Sequence, residues 1–173
     1  MRPQDRIRRD REAVMRRVKE SAQGKVRVRM KRAMRGKRGA LEEMESSVDR
    51  DVETGFVGEC DRLRRKYGLR SEKCEECVGK RRCSKCKGEG GKQGLFGFSK
   101  CRACKGTGVC RGCLRHAQSV LDLLARAELY AGMRAVAGGE SPEEFRAVMK
   151  KLGISLQEAA VLQQIVNIAL RGR

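Results

Sequence analysis

Eight of the nine cysteines in this chain stand as four Cys-x-x-Cys pairs, Cys74/Cys77, Cys83/Cys86, Cys101/Cys104 and Cys110/Cys113. A Cys-x-x-Cys turn aims two sulfurs at one point, so two such turns facing each other supply the four tetrahedral thiolates of a closed, structural zinc site. Eight sulfurs predict two Zn²⁺ ions. Five residues separate the first pair from the second, fourteen the second from the third, and five the third from the fourth. This palindrome predicts a nested scheme in which the fourteen-residue stretch folds back. Cys83, Cys86, Cys101 and Cys104 then hold an inner zinc, and Cys74, Cys77, Cys110 and Cys113 an outer one. Sequential pairing is the alternative, and it has to close both knuckles over only five residues.

A disulfide framework is the competing use for nine cysteines. The paired spacing, and an N-terminus with Asp5, Asp10 and Glu12 among its arginines, unlike a signal or transit peptide, favour metal in a reducing intracellular compartment such as cytoplasm, nucleoid or organelle matrix. No catalytic constellation accompanies the cysteines. No Ser or Cys nucleophile stands beside a histidine base, no Gly-rich phosphate loop ends in Lys-Ser/Thr, and no zinc site keeps an open position. The expectation is a non-enzyme, with thiol-disulfide exchange by metal-free pairs as the one catalytic alternative. His116, the only histidine, follows Cys113 by three residues and is an alternative ligand.

Two of the repeats, Cys83-Ser-Lys-Cys86-Lys-Gly88-Glu-Gly90 and Cys101-Arg-Ala-Cys104-Lys-Gly106-Thr-Gly108, resemble the Cys-x-x-Cys-x-Gly-x-Gly repeat of DnaJ-type zinc fingers. That family has four repeats and a nested two-zinc arrangement, with glycines that let the backbone turn through positive φ beneath each metal. The first repeat here reads Cys77-Val-Gly79-Lys80 and the fourth Cys113-Leu-Arg-His116. The resemblance implies client holding or assembly chaperoning. Recruitment of an ATP-driven chaperone is not implied, because the His-Pro-Asp motif is missing: His116 is followed by Ala117. The order of parts is also similar to lambdoid phage late-gene antiterminators, in which such knuckles separate helical segments.

The elements that must position these cysteines predict a mostly α fold with a small zinc-stabilised β-ribbon. Four regions are expected: a basic arm or helix over 1–39, a long amphipathic helix over 40–68, the two-zinc finger over 74–113 and a three-helix region over 117–173. Leu41, Met44, Val48, Val52, Phe56, Cys60, Leu63 and Tyr67 step by three or four, which makes Cys60 a small core residue, and Gly68 supplies a helix stop. From Lys25 the pattern changes to period two, Val26, Val28 and Met30 alternating with basic residues. Ser141-Pro142-Glu143-Glu144 and Ser155 with Glu158 are helix-start signals. The last helix offers Gln157, Gln163, Gln164 and Asn167, with no basic residue before Arg171, so a packing or protein-partner role suits it better than groove reading.

The formal charge is +19, and aromatic residues make up only 3% of the chain with no Trp, so metal must replace missing apolar burial. No run of about eighteen apolar residues occurs, and no membrane partner is expected. Residues 1–40 carry 16 Lys/Arg against 4 acids, and residues 74–116 carry 11 against 3. Eight thiolates and two Zn²⁺ lower the total only to about +15. Such a charge predicts a polyanion partner, with RNA preferred over DNA. The candidate contacts are Arg6, Arg8, Arg9, Arg16, Arg17, Lys25, Arg27, Arg29, Lys31, Arg32, Arg35, Lys37 and Arg38. Leu95, Phe96 and Phe98 at the Gly-rich ribbon tip are candidate partner contacts, for unpaired bases or an apolar peptide. The expected function is a non-catalytic, RNA-binding component of a ribonucleoprotein or transcription complex. The alternatives are a folding or assembly factor and an antiterminator-like regulator.

Overall fold

The computed structural model describes residues 1–33, 40–70, 74–94, 97–136 and 142–171. Among them are five helices and one two-stranded antiparallel sheet: α1 (Pro3–Ala33), α2 (Ala40–Lys66), β1 (Gly91–Gly94), β2 (Gly97–Lys100), α3 (Arg111–Val136), α4 (Pro142–Lys151) and α5 (Leu156–Arg171). The protein is therefore mostly helical, with a small sheet beside its cysteines. In that sheet Gly91 pairs with Lys100 and Gly94 with Gly97.

Local chemistry accounts for the helix ends. Gly68, at φ 62°, follows α2 in the left-handed region, its N–H bonded to Arg65 O (3.2 Å) while Leu69 N–H bonds to Arg64 O (3.0 Å). This double cap satisfies carbonyls that the helix leaves over. Gly153 ends α4 in the same way, with bonds from Gly153 N–H to Lys150 O and Ile154 N–H to Met149 O. Pro142 opens α4, and Ser155 Oγ caps α5 by accepting Glu158 N–H at 3.1 Å. Residues 25–31 continue α1 despite their alternating pattern. Lys and Arg are good helix formers, and no strand among the described residues pairs with this segment, so only a helix satisfies its backbone internally. Ser141, Gly138 and Gly139 lie outside the described residues.

The chain forms two units: Met1–Ala13, Leu63–Leu69 and Ser119–Arg173 make the first, and Val14–Arg62 and Arg70–Gln118 the second. Ile7, Tyr67, Leu124, Leu162 and Ile165 are the large, fully buried side chains of the first unit. Polar contacts of long sequence range frame this core. Tyr67 donates its phenol to Asp10 Oδ2 at 2.6 Å, the Lys66 ammonium meets the same oxygen at 2.6 Å, and Arg11 pairs with Glu128 at 3.0 Å. Burial and the carboxylate of Asp10 push the Tyr67 phenol well above its ordinary pKa. In the second unit Val14, Val57 and Cys60 are buried, and Arg17 pairs with Glu59 at 2.7 Å. No described helix is long and apolar enough to cross a membrane.

Leu162→Ala should lower stability by about 2–5 kcal/mol through lost burial and the cavity left behind. Tyr67→Phe should cost about 1–2 kcal/mol, because Asp10 loses a hydrogen bond. Denaturant melts followed by circular dichroism measure both.

Candidate metal centre

The eight paired cysteines gather into two groups, Cys74, Cys77, Cys110 and Cys113 in one and Cys83, Cys86, Cys101 and Cys104 in the other, with the sulfurs of each group within 4.8 Å of one another. This is the nested pairing. Seven of these residues are buried and Cys101 is half-buried. Sulfur separations are 3.7 Å for Cys74–Cys110, 3.4 Å for Cys77–Cys113 and 3.7 Å for Cys86–Cys104. A tetrahedron with metal–sulfur bonds of about 2.3 Å has edges of about 3.8 Å, whereas a disulfide brings its sulfurs to about 2.05 Å. The donor type, number and spacing therefore suit a metal ion such as zinc in each group. His116 belongs to neither.

Three of the four knuckles share one backbone device. The two residues after the second cysteine both have positive φ: Val78 and Gly79, Lys87 and Gly88, Lys105 and Gly106. This curl turns a later N–H back onto sulfur, giving Arg81 N–H to Cys77 Sγ (3.3 Å), Gly90 N–H to Cys86 Sγ (3.3 Å) and Gly108 N–H to Cys104 Sγ (3.1 Å). Such bonds stabilise thiolate charge. In the first knuckle Arg81 stands where the second glycine of the repeat would be, and it too adopts positive φ (59°). The fourth pair differs, because Cys113 lies in the first turn of α3, so a helix start replaces the glycine curl there.

The two inner knuckles clasp each other reciprocally. Cys101 N–H bonds to Gly90 O and Cys83 N–H to Gly108 O, each at 2.7 Å. A Cβ on Gly90 would run into Gly106 O, and a Cβ on Gly108 into Gly88 O. Between the two metal groups Arg82 and Val109 form an isolated antiparallel bridge. At the outer group a Cβ on Gly112 would lie 2.6 Å from Cys74 Sγ.

A polar seam on α2, which the apolar periodicity did not announce, braces the inner site. Arg50 donates Nε to Thr107 O (3.0 Å) and Nη2 to Glu89 O, and so ties one knuckle to the other. Glu53 pairs with Arg111 (3.2 Å), whose Nη2 reaches Cys104 O (3.0 Å). Ser46 is buried, with its hydroxyl close to Gly106. Arg81 pairs with Asp61 at 2.7 Å and Lys100 with Glu45 at 3.5 Å.

Electrostatics point the same way as the distances. Burial pushes the Cys104 thiol up to about 12 and Cys110 up to about 11, and raises Cys113 as well. The Cys104 N–H brings Cys101 down to about 7. At Cys77 the bonds from Cys113 and the Arg81 N–H outweigh a burial penalty, so its thiol lies below the ordinary value. Four crowded sulfurs cannot all ionise unless a cation enters among them.

The other predicted contacts are placed as follows. Arg8 pairs with Asp5 (2.9 Å) and Glu128 (3.9 Å), Arg16 with Glu20 (3.9 Å) and Arg17 with Glu59, while Arg6 donates to Ala169 O (3.2 Å). Arg9 is exposed. Lys25, Arg27, Arg29, Lys31 and Arg32 lie in α1, and Arg35, Lys37, Arg38, Leu95 and Phe96 lie outside the described residues. Phe98, in β2, is half-buried and sets its ring against Gly91 on the facing strand. Compared with protein-family models, with curated proteins and with solved structures, the chain matches none.

Elemental analysis should return two zinc ions per chain, released as pH falls because protons compete for the thiolates. Gly108→Ala should abolish the inner site and leave one ion, whereas Arg81→Gly should retain both, since it removes a strained left-handed residue. Arg50→Ala should weaken inner-site affinity roughly 10- to 100-fold, as loss of a partner that orients a metal site does, measured by competition with a chelating dye.

Proposed function

We propose that this chain is a non-catalytic zinc protein that binds nucleic acid, RNA in preference to DNA, as a structural component of a ribonucleoprotein or transcription complex. The observation that carries this reading is the distribution of unneutralised cations around the metal groups. Lys80, Arg82, Lys85, Lys87, Lys92, Arg102 and Lys105 are all exposed, and among the described residues none has an acidic partner. Two tetrathiolate clusters hold this charge on a stiff backbone, so the protein gains phosphate contacts without ordering a loop. The arm contributes Arg9 and the basic residues of its second half, and the exposed polar face of α5 suits a protein neighbour in the complex.

A second reading rests on the knuckle backbone. Paired positive-φ residues after Cys86 and Cys104 are what the resemblance to DnaJ-type fingers calls for, and that resemblance implies client holding through the ribbon tip. A cationic surface is not what an apolar client requires, and Phe98 already covers Gly91. Nucleic-acid binding is therefore preferred.

RNA binding measured by fluorescence anisotropy should weaken steeply as salt rises. Binding indifferent to salt, together with suppression of client aggregation that is lost on changing Leu95, Phe96 and Phe98 to Ser, would establish client holding instead.

A further inference from the structure

The proposed nucleic-acid reading leaves open where the phosphates sit, and the charge pairing within the protein narrows the choice. In the N-terminal half of α1, Arg8 and Arg11 face Glu128, Arg17 faces Glu59 and Arg16 faces Glu20. These guanidinium groups already have carboxylates, and a phosphate would have to displace them. The metal ribbon is different. A groove beside its first two knuckles is lined by Val78, Lys80, Arg82, Ser84 and Lys87, together with Cys77 of one metal group and Cys83 of the other. Glu76 also lines it, but that carboxylate is occupied by Arg115 and by the Gly112 N–H at 2.9 Å.

Resting on that reading, we infer that this groove is the principal phosphate-binding site of the protein, and that it grips the phosphodiester backbone of a single strand with Lys80, Arg82 and Lys87. Each of the three cations rises from backbone that the metal fold fixes. The Lys80 N–H bonds to Cys77 O at 3.0 Å, Arg82 sits in the bridge with Val109 while its side-chain stem lies against Gly88, and Lys87 is held at φ 53° between Cys86 and Gly88. Among the described residues none of the three has an acidic partner. Ser84 adds a hydroxyl donor for a phosphate oxygen. Val78, 76% exposed, offers an apolar surface to a ribose or base face and carries no sequence information. The groove therefore reads charge and strand geometry, not base identity.

The test compares two triple variants of equal charge change in the full-length, zinc-loaded chain: Lys80→Ala/Arg82→Ala/Lys87→Ala in the groove, and Arg16→Ala/Arg17→Ala/Lys19→Ala on exposed positions of α1. Zinc content confirms that each has folded. The probes are fluorescein-labelled single strands of about twenty nucleotides, one RNA and one DNA of the same sequence. The groove variant should weaken both by the same factor, roughly 30-fold or more at 0.1 M salt, and should lower the salt slope by about 2, since each phosphate contact contributes about 0.7. The α1 variant should change either affinity less than about threefold. A groove variant that binds like the native chain, or an α1 variant that loses more, overturns the assignment. So does a loss confined to RNA, which would mean contact with the ribose 2′-hydroxyl in place of the phosphate. Failure of the native chain to bind either probe would instead remove the nucleic-acid reading itself.

Discussion

Four thiols brought within bonding range of one point repel one another as soon as they ionise, and they waste buried polar capacity while they do not. Everything in the ribbon is arranged around that conflict. The sulfurs are spaced as tetrahedron edges and not as disulfides, three of them accept N–H bonds from their own knuckles, and burial opposes ionisation at Cys104, Cys110 and Cys113. A dication would resolve the conflict, and in doing so it would join segments 36 and 18 residues apart along the chain. With few aromatic residues to bury, the ribbon would gain from metal coordination what a larger domain gains from apolar burial.

The brace on α2 shows how polar contacts tie the cysteine ribbon to a helix. Arg50 spans the carbonyls of Glu89 and Thr107, one from each inner knuckle, while Glu53 fixes Arg111 and through it Cys104 O. A planar guanidinium suits this task because its donors diverge in fixed directions. Reciprocal bonds between Cys101 and Gly90, and between Cys83 and Gly108, bring the knuckles so close that only glycine fits at either crossing.

Much of this was legible in the residues. Mirror-image spacing indicates which cysteine pairs lie together, and Gly68, Gly153, Pro142 and Ser155 mark helix ends because each acts through its immediate neighbours. What stayed hidden acts across distance or against type. Ser46, Arg50 and Glu53 look like ordinary surface residues of α2: Arg50 bonds to the backbone carbonyls of Glu89 and Thr107, Glu53 pairs with Arg111 58 residues away, and Ser46 is buried beside Gly106, none of which leaves a local sequence signal. Arg11 with Glu128 and Arg17 with Glu59 meet across 117 and 42 residues, so charge counts alone made the arm look wholly available. Residues 25–31 alternate with period two and yet continue α1, since a strand needs a partner and a helix does not. Cys113 departs from the glycine pattern because a helix start does the turning there, and Arg81 holds a left-handed position that its side chain disfavours.

Cys60 gives the protein an odd sulfhydryl count. It is sealed at 0% exposure and stands apart from both cysteine groups, so in the folded chain its thiol is out of reach of oxidants in bulk water. Stripped and unfolded, the same chain carries nine competing nucleophiles, and no internal matching can satisfy all of them. At least one is left to cross-link with a neighbouring molecule, so the order of events during biosynthesis matters: ion capture has to precede exposure to oxygen if such cross-links are to be avoided.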